Sequence, residues 1–464
     1  MQQINSAALI GVAIVVAATG PFPTGAVAGI PEQVESLLRD PDRGWSAIWP
    51  GFDPSAVPVA LFDGESTRLY RHPAPPPEFE ATGSLHGRPL FSMAGRHPAV
   101  TANASAVIGE TRTATLLLDA DDRDERLRRI LLHESFHVYQ RRAHPHWSAN
   151  EADLFLYPFD DENVLAEARL EIIALENAAA QADDEGGTFN PGPGNGDRSR
   201  AAWAKAALEA RHRRHALLDR AAIEYERKTE WNEGTATYVE QTGTAWERFD
   251  SLLDRQYPPE DVRQRGYVSG ALLCRALDFL RPGWRDTLEK NDTIPLDVLL
   301  ADAIPAGTVA APLPVDSVLA ASRNEIALLT VRNQERLREM TGRPGYQVRI
   351  QSLEEPLSSE GFDPLNIAVL EPGVVLHSRF VRLGNGRGSV EVFDWESLTV
   401  ASGESHPLFA GVREISITGL GAPAVVKKEG GAIRIETAPV RLNFEGATFT
   451  TLDSVTVITL PGGP

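Results

Sequence analysis

The sequence predicts an α+β architecture, with an N-terminal β-sheet lobe and a helical lobe in residues 29–343 and an all-β C-terminal domain in residues 344–464. Three observations lead there. Short β-type runs separated by turn residues, such as 57–62 and 104–108, fill the chain before residue 120. Apolar residues then recur close to the helical period of about 3.6, as at Leu127, Ile130, Leu131, Phe136 and Val138. From about residue 345 the period falls to two and glycine turns separate the runs. At 464 residues the chain has room for two or three cores, because a single core rarely grows past about 250–300 residues.

Taken in order, residues 7–19 form an uncharged apolar run followed by Gly20, Pro21 and Pro23, then Ala26-Val27-Ala28, a small-x-small triplet. This predicts a signal peptide at 1–28 and an exported chain, periplasmic or extracellular, although the leading MQQINS carries no Lys or Arg. The run is shorter than the ~20 residues of a membrane span, so no stable membrane insertion is expected. Strands are predicted at 57–62 and 67–70 around the turn Asp63-Gly64, followed by the stiff connector 73–77, PAPPP. A hairpin follows, 104–108 and 113–118 about Gly109-Glu110, and runs into a helix at 121–142. The acidic run 119–124 suits a helix start, where the dipole favours acids. Further helices are predicted at 163–181, through most of 200–241, at 267–281 and at 316–341. Between the first two of these, 183–199 is too rich in Gly, Pro and Asp to bury a core and reads as a mobile surface loop. Beyond 345, strands are predicted at 348–350, 389–393, 412–418, 432–436 and 455–460, as in a compact domain of about 100 residues.

Charge and cysteine usage narrow the function classes. A formal net charge of −19 argues against nucleic acid as a partner, which calls for a basic surface. Basic residues are mostly Arg, and heavy use of Ala suggests a GC-rich bacterial genome. The single cysteine, Cys274, rules out an intramolecular disulfide and sits in an apolar helical run where it reads as a small core residue.

The chemistry is carried by His133-Glu134-Ser135-Phe136-His137. Positions four apart on a helix share a face, so both imidazoles can reach one metal ion, and Glu134 projects beside it to act on a water. Zinc is the expected cofactor. A catalytic zinc takes three protein ligands, and no His-x-x-Gly-x-x-His continuation follows. The candidate third ligand is Glu233, in Glu233-Gly234-Thr235-Ala236-Thr237-Tyr238 on a separate helix, where small Gly234 and Ala236 suit close packing against the first.

The His-Glu-x-x-His helix followed at a distance by a Glu-Gly-x-Ala-x-Tyr helix resembles the gluzincins, the thermolysin-like branch of zinc peptidases, over roughly residues 100–280. The resemblance implies a zincin-like catalytic domain, a Zn2+ ion on His133, His137 and Glu233, and Glu134 as general base. It also implies an edge strand beside the cleft, here 113–118, pairing with an extended peptide or protein substrate. Tyr267 is the first choice to stabilise the oxyanion and Tyr238 the second, with Arg265 a weaker one. The thermolysin pattern has an Asp four residues past the Glu ligand, orienting a ligating His; here that position is Thr237. Thr237 and Tyr238 are therefore the candidates to support the ligands, with Asn232, Glu240 and Glu230 as rivals. His144 and His146 read as loop residues, while Arg211 to His215 and the pair Glu167 and Glu171 read as solvated helix faces. The expected function is a zinc metallopeptidase. The alternatives are an idle zinc-binding scaffold acting as a binding protein, and a zinc hydrolase of a non-peptide amide.

Overall fold

The computed structural model describes residues 45–85, 87–118, 124–180, 196–244, 258–352, 354–363, 366–403 and 406–461. The expected leader at 1–28 lies outside them, as does most of the loop at 183–199. The described residues form two compact units, 45–326 and 327–461. Both are mixed or β as expected: strands and helices in the first, mainly strands in the second.

In the first unit a six-stranded sheet has the order β3-β4-β2-β1-β6-β5, built from β1 (Val59–Phe62), β2 (Ser66–Tyr70), β3 (Glu80–Leu85), β4 (Arg88–Ala94), β5 (Ala104–Ile108) and β6 (Thr111–Leu117). β1 is buried along its whole length, since alternate residues serve two cores. Val59 and Leu61 pack with Ala114 and Leu116 against the helices, whereas Ala60 and Phe62 join Leu69 and Ile108 on the other face. The hairpin about Gly109 sends β6 inward, parallel to β1, and leaves β5 at the edge. The expected edge strand, 113–118, is thus an interior strand; the edge beside the helices is 104–108. The hairpin of β3 and β4 was not legible in the sequence, because its strands are half-exposed and lack a clean alternation.

The helices are α1 (Asp124–Ala143), α2 (Glu162–Ala179), α3 (Gly196–His215), α4 (Arg220–Thr229), α5 (Thr235–Gly243), α6 (Val262–Leu280), α7 (Trp284–Lys290), α8 (Leu296–Ala303) and α9 (Val315–Gly342). Asp161 caps α2 by accepting from the amides of Asn163 and Val164, and Asp219 caps α4 through Ala222. α3 begins at Gly196, so the last residues of the predicted loop are helical. α4 and α5 are joined by a π-helical turn, Glu230–Gly234, which interrupts the long predicted helix. Beneath α1 lies an aromatic core in which Trp49 meets Phe136, Trp147, Tyr238 and Trp284 edge-on. Cys274 is buried in the same core, as its apolar run implied. No helix among the described residues is long and apolar enough to cross a membrane.

The second unit holds a seven-stranded sheet in the order Thr448–Leu452, Val455–Leu460, Tyr346–Ser352, Val412–Leu420, Ser397–Ala401, Val374–His377, Ile367–Glu371. Its six-stranded sheet runs Val426–Glu429, Ala432–Glu436, Val440–Glu445, Gly388–Phe393, Phe380–Asn385, Ser358–Phe362. Inward residues of both sheets, including Val348, Ile350, Val390, Ile415, Ile433 and Phe444, make one core. The period changes at 344, while the unit begins within α9, whose end places Met340 on Leu370, Leu376 and Leu398.

Buried His377 and half-buried His406 are expected to make this unit sensitive to acid. Burial, reinforced for His377 by the charge of His406, lowers the two pKa values to about 3 and about 4. The unfolded chain takes up these protons near pH 6.5, so stability is complete above about pH 6.5 and is lost as pH falls toward 4 and then 3. Hydrogen exchange of Val374–His377 and Ser397–Ala401, corrected for intrinsic pH dependence, is expected to show markedly less protection at pH 4.5 than at pH 7. His377→Asn is expected to flatten the difference.

Candidate metal centre

α1 carries His133 and His137 one turn apart, and the π turn brings Glu233 to them from across the helical lobe. Nε2 of His133 and Nε2 of His137 are 3.1 Å apart, and Oε2 of Glu233 lies 3.1 Å from His137 and 3.4 Å from His133. All three residues can present one ligand atom to a common centre. Four ligands held tetrahedrally about 2.0–2.1 Å from a zinc ion stand about 3.3 Å from one another, so this triangle has the dimensions of a zinc site with one position open.

The hydrogen bonds behind the triangle point the same way. Nδ1 of His133 donates to Oε2 of Glu240 at 3.1 Å, and Nδ1 of His137 donates to Oε1 of Gln140 at 2.7 Å. The Gln140 amide orientation is fixed by its own donors, since Nε2 reaches Trp231 O, Asn232 O and Thr235 Oγ1 at 3.0, 2.8 and 2.8 Å. Both rings are thereby set in the tautomer whose Nε2 lone pair faces the centre. Two such lone pairs 3.1 Å apart repel unless a cation lies between them. The carboxylates raise that demand: burial alone would lower the pKa of His133, but hydrogen bonds to Glu233 and Glu240 and the charge of Glu134 raise it to about 10. The residues fit a bound zinc ion.

Glu233 is polarised between its two oxygens. Oε2 faces the histidines, while Oε1 accepts from Arg263 at 2.8 Å and Asn232 at 3.1 Å. Burial would raise its pKa, but His137, His133 and Arg263 outweigh burial and hold the carboxyl well below its usual range, so Glu233 is ionised. Glu134 is also buried, and its Oε2 has no hydrogen-bond partner. Burial raises its pKa, partly offset by the two histidines, so this carboxylate beside the triangle holds a proton more readily than an exposed one. The Tyr267 ring stacks parallel to His133, with centroids 6.0 Å apart and 8° between planes. Burial and the charge of Glu233 push the Tyr267 phenol up, so it remains a donor.

The expected supporting residues fall out differently. Thr237 Oγ1 donates to Glu233 O at 2.8 Å and touches neither histidine, its hydroxyl being committed to the turn before it. Tyr238 OH donates to Asp278, so Tyr238 is neither a ligand support nor an oxyanion donor. Glu240, one of the rivals, does support His133, seven positions past Glu233 and back on the same helix face. Gln140 was not foreseen, although its spacing of three from His137 was the available signal. Arg265 is turned away and buried against Tyr157 OH at 2.6 Å and Glu226 at 3.4 Å; Arg263, two positions earlier, is the arginine at the site. Glu230 belongs to a buried network in which Arg211 pairs with Glu171 and Glu230, and Arg214 with Glu171 and Glu226. Arg211, Arg214 and Glu171 read as solvated in sequence, yet each is less than one-tenth exposed and paired with an opposite charge. Arg213 with Glu167 does face solvent. His144 is likewise buried, between Glu289 and Asp292.

Two contacts hold the π turn in place. Ser269 Oγ donates to Glu230 at 2.6 Å, and α6 crosses the turn where Gly270 meets Gly234. A Cβ on Gly234 would lie 2.5 Å from Gly270 Cα, so this glycine serves the contact with α6 and not, as expected, the contact with α1. Replacing Gln140 by Leu removes the acceptor for His137 and the donor to the π turn. Zinc affinity measured by chelator competition is expected to fall roughly 10–100-fold. No protein-family model, curated protein or solved structure matches this chain.

Proposed function

We propose that the chain is a zinc-dependent metallopeptidase with a zincin-like catalytic unit, in which His133, His137 and Glu233 hold the metal. The observation that carries this reading is the convergence of three zinc-type ligand atoms on one point with an unpaired buried carboxylate, Glu134 Oε2, beside them. A zinc ion held there supplies a Lewis acid that lowers the proton affinity of water and polarises a carbonyl. Glu134 takes the proton from the attacking water and passes it to the leaving nitrogen; its raised pKa suits both steps. Tyr267 donates to the oxygen that gains charge in the transition state. The edge of β5, which pairs with no further strand among the described residues, holds the substrate extended by backbone hydrogen bonds. Peptide is favoured over a small amide because the strand edge beside the site pairs only with a backbone. The test is hydrolysis of a mixed peptide library by the full chain. Cleavage is expected to stop with 1,10-phenanthroline and to return with zinc; cleavage that survives chelation would contradict it.

A further inference from the structure

The sheet and α1 place two arginines at one end of this site. Arg112 is the second residue of β6 and stands opposite Val107 of the edge strand, itself half-exposed. The chain leaves β6, turns, and returns along α1, which packs on both β5 and β6. The last turn of α1 therefore comes back beside the start of β6. Arg141 lies in that last turn, one helical turn and about 6 Å beyond His137 on the same face. Both arginines are exposed, and among the described residues neither pairs with an acid. Among the described residues Arg141 hydrogen-bonds to Ser148 Oγ alone. Its guanidinium feels the charges of both Arg112 and Glu233: burial and Arg112 lower its pKa, and Glu233 opposes them. In a chain of net charge −19, these two mutually repelling charges have no acid paired with them among the described residues.

A basic residue at a helix C-terminus is ordinarily explained by the helix dipole. That accounts for Arg141 and its neighbour Arg142, but not for an arginine brought to the same place by a strand. Extended peptide advances about 3.3 Å per residue, so 6 Å along the cleft is about two residues. We propose that Arg112 and Arg141 form a carboxylate-binding subsite, which takes a carboxylate of the bound peptide about two residues from the hydrolysed bond. The carboxylate is either an acidic side chain or the peptide's own C-terminus. The inference rests on the peptidase reading for the nature of its ligand.

The test separates the two. Zinc-loaded full-length Glu134→Gln protein is titrated with fluorescent hexapeptides in a two-by-two set, Glu or Gln at the second and fifth positions, C-terminal acid or amide. Anisotropy gives Kd for each, while wild-type turnover of the same peptides is measured apart. At least one carboxylate is expected to tighten binding about tenfold over the neutral peptide, and the Glu and C-terminal arms show which. The double variant R112Q/R141Q, in the same Glu134→Gln background and retaining one equivalent of zinc, is expected to bind all four alike. Equal binding by the parent, a preference that survives in the double variant, or no peptide binding would overturn the subsite. Turnover without a carboxylate preference would overturn it alone and leave the peptidase reading standing. A preference without turnover would do the reverse.

Discussion

Glu134→Gln is expected to retain one equivalent of zinc and to lose peptide hydrolysis by about a thousandfold or more, within the range general acid–base catalysis supplies. Glu134 is not one of the three residues whose ligand atoms converge, so the metal stays. Glutamine keeps the size of the side chain, and Glu134 Oε2 has no partner whose loss would disturb the fold. What disappears is the one basic group able to accept a proton at the centre. The two histidines have their Nδ1 atoms committed to Glu240 and Gln140, and Glu233 is divided between the triangle and Arg263. Among the described residues at the triangle, no neighbouring group is free to take over. Steady-state kinetics with metal analysis of the same sample checks both halves: turnover within about tenfold of wild type would show that Glu134 is not the base.

Gly270→Ala is expected to destabilise the first unit by about 3 kcal/mol, the upper end for overpacking, and to weaken zinc binding with it. The new methyl would lie 2.7 Å from Gly234 Cα, 2.9 Å from Glu230 O and 3.0 Å from Glu230 Cα. All three are backbone atoms, so no side chain can rotate aside. Relief requires α6 and the π turn to separate, and that turn carries Glu233. A buried helical glycine is ordinarily improved by alanine, by up to about 1 kcal/mol, so the two influences oppose each other. Contacts this short with backbone decide the sign. Thermal unfolding and chelator competition should therefore move together; a melting temperature at or above wild type would show that the helices do not meet this closely.

Much of the site was legible because it follows helical spacing. His133 and His137 lie on one face by arithmetic, with Glu134 next to the first, and Glu233 was singled out by the small residues after it. The role given to Thr237 rested on a spacing of four, and the carboxylate that fills it is Glu240, at seven. Gln140 was within reach of the same arithmetic, three positions past His137, whereas Arg263 acts through a contact between elements far apart in sequence, which no spacing reveals. The edge strand was misplaced by one strand, because a hairpin in sequence does not say which of its arms turns outward. The buried charges of α3 were missed for a related reason. Arg211 and Arg214 look solvated beside His212 and Arg213, and only the acids of α2, α4 and the π turn make their burial tolerable. In the β unit, strands such as Ser358–Phe362 carry too few β-branched residues to stand out. α7 and α8 escaped notice as short helices following Pro282-Gly283 and Pro295.

The central claim is that one zinc ion is held by two histidines of α1 and one glutamate of the π turn. A crystal structure of the full chain with zinc, refined against anomalous data at the zinc edge, tests it most directly. The expected result is a single ion about 2.0–2.2 Å from His133 Nε2, His137 Nε2 and Glu233 Oε2, with its fourth position turned toward Glu134. Zinc bound elsewhere, or bound to the histidines with Glu233 left on Arg263 alone, would contradict it.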